Sequence, residues 1–263
     1  VKNIRNENTF ALVVRPDETS RRIAEIIRNA LKQRGYVEQE NCPYTVFVIG
    51  GDGTFIVAVH KYMTHLNEVR FYGIHTGTLG FYTDYRDCDL DEFLETFLEN
   101  QCKEVTYPLL CAEMENHEVY GLNEIRIENV ARTQVMEIFV NHEKFEDFRG
   151  TGICVCTQLG STAYNRSLGG AVIQEGLHFI EMTEISGIHH IKYRSLGSPI
   201  VMSDDTVLTM RSDSFEGAVL GVDSDVLELH DEKEIIIHTA ENIHVRMLRG
   251  RRVNYFKRLQ SLF

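Results

Sequence analysis

Basic side chains are scarce in this sequence: 27 Lys and Arg stand against 39 Asp and Glu over 263 residues, a net charge of −12. Binding a nucleic-acid backbone needs a concentrated positive field, so no nucleic-acid partner is expected. Long apolar runs are missing too. None is long enough to span a bilayer, and the opening Val1-Lys2-Asn3-Ile4-Arg5 starts no apolar core of signal-peptide length, so neither a membrane nor export is expected. The six cysteines (Cys42, Cys88, Cys102, Cys111, Cys154, Cys156) are scattered without a C-x-x-C pair, and they read as free thiols in a reducing cytoplasm. No HExxH motif occurs, His60 and His65 are off the i, i+4 spacing of helical metal ligands, and His189-His190 has no visible third ligand. A P-loop lysine, a G-x-G-x-x-G fingerprint and a G-x-S-x-G elbow are all absent. If such an acidic chain binds phosphorylated ligands, it has to use backbone amides, a metal ion and a few placed cations.

What the chain does have is Gly50-Gly51-Asp52-Gly53-Thr54-Phe55, set between the β-branched and aromatic run Thr45 to Ile49 and a helix-length stretch from Ile56 to Met63. The order predicts strand, glycine turn, helix. Glycines let backbone N–H groups face an anion near the positive end of the helix dipole. An acid in a phosphate-cradling turn repels its ligand, so Asp52 is a candidate working group, either taking a proton from an attacking hydroxyl or holding a divalent cation. The plain alternative is a sharp turn with an Asx-type hydrogen bond.

Phe10 to Val14 predicts a strand, and Ile23, Ile26, Ile27, Ala30 and Leu31 an amphipathic helix stopped by Gly35. Val69 to His75 predicts another strand, running into a second glycine turn, Thr76-Gly77-Thr78-Leu79-Gly80-Phe81. Asp89 to Glu92 has capping-box spacing ahead of a helix burying Phe93, Leu94, Phe97 and Leu98. Alternating strands and helices imply a three-layer α/β domain with a parallel sheet, whose ligands sit at the carboxyl ends of its strands. From about Gln101 short β-type runs separated by turn residues predict an all-β second domain. The expected division is 1–100 with 246–263 for the α/β domain and 101–245 for the β domain. The basic tail from Arg246 to Phe263 is expected to pack back on the first domain rather than bind phosphate.

Asn123-Glu124 lies inside a β-type run. It is either an exposed edge pair or a pair that hydrogen-bonds a base and ribose hydroxyls. Gly160-Ser161-Thr162 opens a predicted helix, with Ser161 and Thr162 as N-cap residues or as hydroxyls for a ribose or phosphate. Gly169-Gly170 suggests a further close backbone approach.

Gly50-Gly51-Asp52-Gly53-Thr54, the Gly73 to Phe81 segment, Asn123-Glu124, and Gly160 to Tyr164 followed by Ser167-Leu168-Gly169-Gly170 together resemble the NAD kinases, which phosphorylate NAD to NADP. The Gly-Gly-Asp-Gly turn is shared with diacylglycerol, sphingosine and 6-phosphofructo kinases, but the four motifs in order are specific. The resemblance implies Asp52 as proton acceptor for the adenosine ribose 2′-hydroxyl. It places the phosphate donor, ATP or polyphosphate with Mg²⁺, at Gly50, Gly51, Gly53 and Thr54. NAD contacts are implied at Phe81, Asn123, Glu124, Ser161, Thr162, Ala163, Tyr164, Asn165, Arg166 and Ser167. Arg149 and Thr151 match positions that reach NAD across a subunit contact in a homotetramer, and Ser186 would line the same region. The sequence departs from the family at Gln158 and Leu159, where a proline and a hydroxyl residue are usual, and at Thr151, where many members carry Asp. A ligand-side histidine of some members aligns with Ser224. A diacylglycerol-type lipid kinase, or a silent NAD(P)-binding sensor of the same fold, is the alternative.

Overall fold

A computed structural model of the chain describes residues 6–77, 80–189, 191–250, 254–260 and 262. They fall into two compact units, Val1–Tyr107 with Ile243–Phe263, and Pro108–Asn242.

The first unit opens with β1 (Thr9–Val14), α1 (Glu18–Gln33), β2 (Val37–Glu38), β3 (Thr45–Ile49), α2 (Asp52–Lys61), β4 (Arg70–His75), β5 (Tyr85–Arg86) and α3 (Leu90–Leu98). Its sheet runs in the order β2-β1-β3-β4 with parallel pairing throughout, for example Leu12 beside Phe47 and Phe47 beside Tyr72. Strand periodicity sorts the aromatic side chains between two faces. Phe10, Phe47 and Tyr72 form a core with Ile23, Ile27 and Leu31 of α1 and with Phe93 and Phe97 of α3, where Tyr72 stacks on Phe93 at 4.1 Å. On the other face Phe55 of α2 meets Phe71 at 5.6 Å and Tyr82 at 4.9 Å. This is the expected three-layer arrangement.

The second unit takes its strands from β6 (Lys103–Glu113), β7 (Glu118–Gly121), β8 (Glu124–Glu128), β9 (Gln134–Val140), β10 (Glu143–Gly150) and β11 (Gly152–Thr157), then the short helix α4 (Tyr164–Ser167). It continues with β12 (Phe179–Ile185), β13 (Ile200–Ser203), β14 (Leu208–Arg211), β15 (Val219–Val222), β16 (Asp225–Glu228) and β17 (Glu234–Arg249). The first unit closes with the end of β17, where Met247 pairs beside Phe71, and with α5 (Tyr255–Gln260). One antiparallel sheet of the second unit has the order β13-β12-β11-β8-β15-β16, and a second contains β10-β9-β14-β17. Both contribute to one core, with Ile125, Val155 and Leu220 from the first and Met136, Ile138, Met210 and Ile237 from the second. Each unit thus has the α/β or β-rich class expected for it.

Local details differ from the sequence expectation. α2 begins at Asp52, not at Ile56, because an acid is favourable in the first turn of a helix and Gly53 accepts helical backbone. α1 turns Ile26 outward, 44% exposed, and buries Ser20 and Ala24 instead. Asp89 does not cap α3; its carboxylate accepts from the backbone N–H of Arg86 at 2.9 Å and closes the preceding turn. Residues 160–167 form a 3₁₀ turn and a four-residue helix, shorter than predicted. Three of the tail's cations are spent internally: Arg246 pairs with Glu104, and Arg249 and Arg258 with Asp84. Arg251, Arg252, Val253 and Phe263 of that tail lie outside the described residues, as do Val1 to Arg5, Thr78, Leu79 and His190.

Candidate functional site

In the first unit the site is built where β3 and β4 end. Gly50 and Gly51 serve by close approach rather than by unusual backbone angles. A Cβ on Gly50 would lie 2.3 Å from the Thr54 hydroxyl, and one on Gly51 would lie 3.3 Å from Nε2 of His75. Gly53 meets nothing, so its lack of a side chain keeps the surface open. Gly51 is the N-cap of α2 and no side chain caps that helix, so its first-turn amides face outward at the positive end of the dipole.

Asp52 is half-buried. Its carboxylate accepts from the backbone N–H of Phe81, 3.1 Å to Oδ1 and 3.0 Å to Oδ2, and from that of Tyr82 at 3.2 Å. The second glycine turn thus grips the acid of the first. Phe81 is held in turn from behind: its carbonyl accepts from Arg249 at 3.2 Å and from Arg258 at 2.7 Å, while both guanidiniums pair with the buried Asp84. Gly250 N–H donates to the same carboxylate at 3.1 Å. The sequence reading missed this clamp because its members lie more than 160 residues apart.

His75, also missed, is 7% exposed and accepts from Gly77 N–H through Nδ1 at 2.9 Å. Burial holds its pKa below the ordinary value, so the ring is neutral at pH 7. The available signal was a polar ring ending an otherwise buried strand beside a glycine turn.

In the second unit Asn123 and Glu124 are 7% and 5% exposed and sit at the head of β8, an interior strand between β11 and β15, so the exposed-edge alternative falls. Their backbone is shaped by Asp223, which the sequence reading passed over. Its carboxylate accepts from the N–H groups of Leu122 (2.8 Å), Asn123 (2.7 Å) and Glu124 (3.2 Å). Asp223 reaches them with φ of 52° in the hairpin turn between β15 and β16. Burial, with Asp223 adding repulsion, pushes the pKa of Glu124 up to about 7, and its Oε2 has no hydrogen-bond partner among the described residues. That oxygen is an acceptor awaiting a donor.

The 160–170 segment comes close to this pair. A Cβ on Gly160 would lie 1.9 Å from the carbonyl oxygen of Asn123. Thr162 is half-buried and its hydroxyl donates to Leu159 O at 3.1 Å; Tyr164 donates to Glu128 at 3.1 Å beneath the guanidinium of Arg126. Ser161 does not cap a helix. Fully buried, it donates to Gln158 O (2.7 Å) and accepts from Ile173 N–H (2.9 Å). Asn165 is equally enclosed, bonded to Glu181 (2.7 Å) and Thr183 (2.7 Å), and a Cβ on Gly170 would strike its amide. Ser161 and Asn165 therefore hold the segment's shape, whereas Arg166 and Ser167 are exposed. Gln158 accepts from Gly176 N–H at 3.0 Å, so the turn without the usual proline is tied down by a side chain.

Arg149, Thr151 and Ser186 cluster at the other end of β11. Arg149 lies over the ring of Tyr193 at 5.2 Å, and Ile188 N–H donates to its carbonyl. Thr151 N–H donates to Ile185 O, and Ser186 adopts φ of 50°. Five residues of strand, roughly 16 Å, separate this group from Asn123 and Glu124. Ser224 follows Asp223 and is exposed.

Two three-ligand clusters occur among the described residues, Cys42-His65-Glu68 and Cys111-Glu113-His238. Neither includes Asp52, and both carry sulfur and nitrogen donors that do not suit Mg²⁺. Burial pushes the Cys111 thiol up to about 12, which makes it a poor ligand. At Asp52 the donors are hard oxygen alone, which fits Mg²⁺ carried by phosphates and steadied by one carboxylate. All six cysteines are free. No helix among the described residues is long and apolar enough to cross a membrane.

Residues 122–250 match the ATP-NAD kinase C-terminal domain family. The chain is 36% identical over 255 residues to an NAD kinase of Limosilactobacillus reuteri, covering 93% of this chain and 94% of that protein. It is 37% identical over 246 residues to one of Lacticaseibacillus paracasei, covering 91% and 92%. Among solved structures it resembles yeast NADH kinase complexed with NADH (TM-score 0.80, 16% identity, 97% of this chain and 86% of that one). It also resembles an NAD kinase from Archaeoglobus fulgidus in complex with ATP (TM-score 0.77, 22% identity, 96% and 99%). At these identities the structural likeness establishes the fold.

Proposed function

The chain belongs to the NAD kinase family and transfers a phosphoryl group from ATP to NAD; on that premise we propose how its residues divide the work. The observation that carries the assignment is the carboxylate of Asp52, held at the open N-terminus of α2 by the amides of Phe81 and Tyr82. Fixed but half-exposed, it keeps lone pairs for a hydroxyl proton.

Asp52 takes the proton of the adenosine ribose 2′-hydroxyl as that oxygen attacks the terminal phosphorus of ATP. The bond from that phosphorus to the bridging oxygen breaks and ADP leaves. Positioning and charge neutralisation dominate such transfers. Gly50, Gly51, Gly53 and Thr54 present the phosphate chain to the free amides of α2. Mg²⁺ would neutralise the phosphate oxygens when bound, and Asp52 is the carboxylate beside them that would steady it. Inorganic polyphosphate offers the same terminal group and is an alternative donor.

In the second unit Asn123 reads the base and Glu124 accepts from a ribose hydroxyl through Oε2. Thr162, Ala163, Tyr164, Arg166 and Ser167 add contacts along the nucleotide, and within the first unit Phe81 is the proposed ligand contact. The separation of Arg149, Thr151 and Ser186 from this group supports their serving NAD on a neighbouring copy in a homotetramer. Six free thiols support a reducing, cytoplasmic setting.

The test is NADP formation from NAD with Mg²⁺ and either ATP or polyphosphate, read through an NADP-specific dehydrogenase, with NADH and diacylglycerol as competing acceptors. NADP from ATP, with diacylglycerol untouched, supports the proposal. Protein that binds NAD yet makes no NADP from either donor would be a sensor of the same fold.

A further inference from the structure

The imidazole of His75 is wedged between the two glycine turns. Its Nε2 lies 3.3 Å and its Cε1 3.6 Å from where a Cβ of Gly51 would stand, and Cε1 lies 3.5 Å from the corresponding point on Gly77. The residue as a whole is 7% exposed. Nδ1 accepts from Gly77 N–H, so in the neutral ring the proton sits on Nε2. Nε2 has no hydrogen-bond partner among the described residues. It is aimed past Gly51, where α2 starts without a side-chain cap.

We propose that His75 is a phosphate-binding residue, donating Nε2–H to an oxygen of the phosphoryl donor's phosphate chain at the N-terminus of α2. The inference rests on the function proposed above, in that it places the phosphate chain there. Charges of both signs face the ring, Asp52 and Asp87 on one side of the balance and Arg15 and Arg86 on the other. Arg15 is committed to Asp17 (2.6 Å) and to Thr76 O (3.3 Å). A neutral donor beside free helix amides holds a polyanion without the lysine that this turn lacks. Gly51 is then glycine for a second reason, since a side chain there would cover Nε2.

Three variants of the full chain separate the two ring nitrogens. His75→Asn keeps an acceptor for Gly77 but no donor that reaches Gly51, His75→Phe keeps ring shape only, and His75→Gln keeps an amide N–H near the position of Nε2. The probe is inorganic triphosphate with Mg²⁺, titrated calorimetrically, with melting temperatures recorded and KM for ATP and NAD measured in parallel. Loss of one hydrogen bond to a charged group predicts affinity for triphosphate weakened about 10- to 100-fold in His75→Asn and His75→Phe, and largely restored in His75→Gln. KM for ATP should rise with it and KM for NAD should not. Triphosphate binding as tight in His75→Asn as in the wild type would overturn the proposal. So would equal loss in all three variants accompanied by a fall in melting temperature, which would make His75 structural. Triphosphate binding that depends on His75 in a protein forming no NADP would sustain this inference while refuting the kinase reaction.

Discussion

Gly80 stands so close to Asp52 that a Cβ on it would lie 2.1 Å from Oδ1 and 2.5 Å from the carboxyl carbon. The second glycine turn is therefore the seat of the first turn's acid. A methyl group at this point either pushes the carboxylate away or lifts Phe81 and Tyr82 off it. Gly80→Ala is predicted to lower NADP formation at least about 100-fold, comparable with loss of general-base assistance, and to leave the melting temperature nearly unchanged. Turnover kinetics and thermal unfolding on the same preparation check this.

Asp223 gathers the backbone amides of Leu122, Asn123 and Glu124 on one carboxylate. Asp223→Ala removes these three hydrogen bonds to a charged group, each worth about 1.5–3 kcal/mol before water makes up part of the loss. The expected result is a marked fall in stability in denaturant melts, with KM for NAD rising more than KM for ATP.

Glu124 makes the nucleotide-free protein pH-sensitive. Its pKa is about 7 when folded against an ordinary 4.5, so below pH 4.5 the proton is present in both states. As pH rises from 4.5 to 7 the unfolded chain releases it first and stability falls, by about 3 kcal/mol in all. Above 7 the contribution is flat. Glu124→Gln should remove that slope, which a series of urea titrations between pH 4.5 and 8 would reveal.

Arg258 is 3% exposed and shares Asp84 with Arg249 while donating to the carbonyl of Phe81. Removing one partner of a buried ion pair costs about 3–5 kcal/mol. Arg258→Met is predicted to destabilise by that order and to lower kcat, because Phe81 loses its anchor. Unfolding and kinetics at a temperature where the variant is fully folded separate the two effects.

Much of this was legible in residue order. The buried run Thr45 to Ile49 followed by three glycines and an acid announced the strand, the turn and Asp52, since those features depend on neighbours in sequence. Asn123 and Glu124 were singled out as candidates, but not the reason for their geometry, because Asp223 acts on them from about a hundred residues away. Ser161 and Asn165 read as ligand hydroxyl and amide, and only the fold shows Ile173, Glu181 and Thr183 occupying them. The basic tail was expected to pack back on the first domain, but its order did not show that Arg249 and Arg258 would meet on Asp84 behind the Asp52 loop. Local pattern predicts local structure; long-range hydrogen bonds to buried carboxylates do not show in it.

The most direct test of the account is Asp52→Asn, compared with wild type for NADP formation under saturating NAD, ATP and Mg²⁺ and for NAD binding by calorimetry. The amide cannot take the hydroxyl proton and turns an N–H₂ group toward Phe81 N–H or Tyr82 N–H. The account predicts kcat lower by about 10²- to 10⁴-fold with NAD affinity within a few-fold of wild type. A variant that keeps kcat within a few-fold would contradict it and move the base elsewhere.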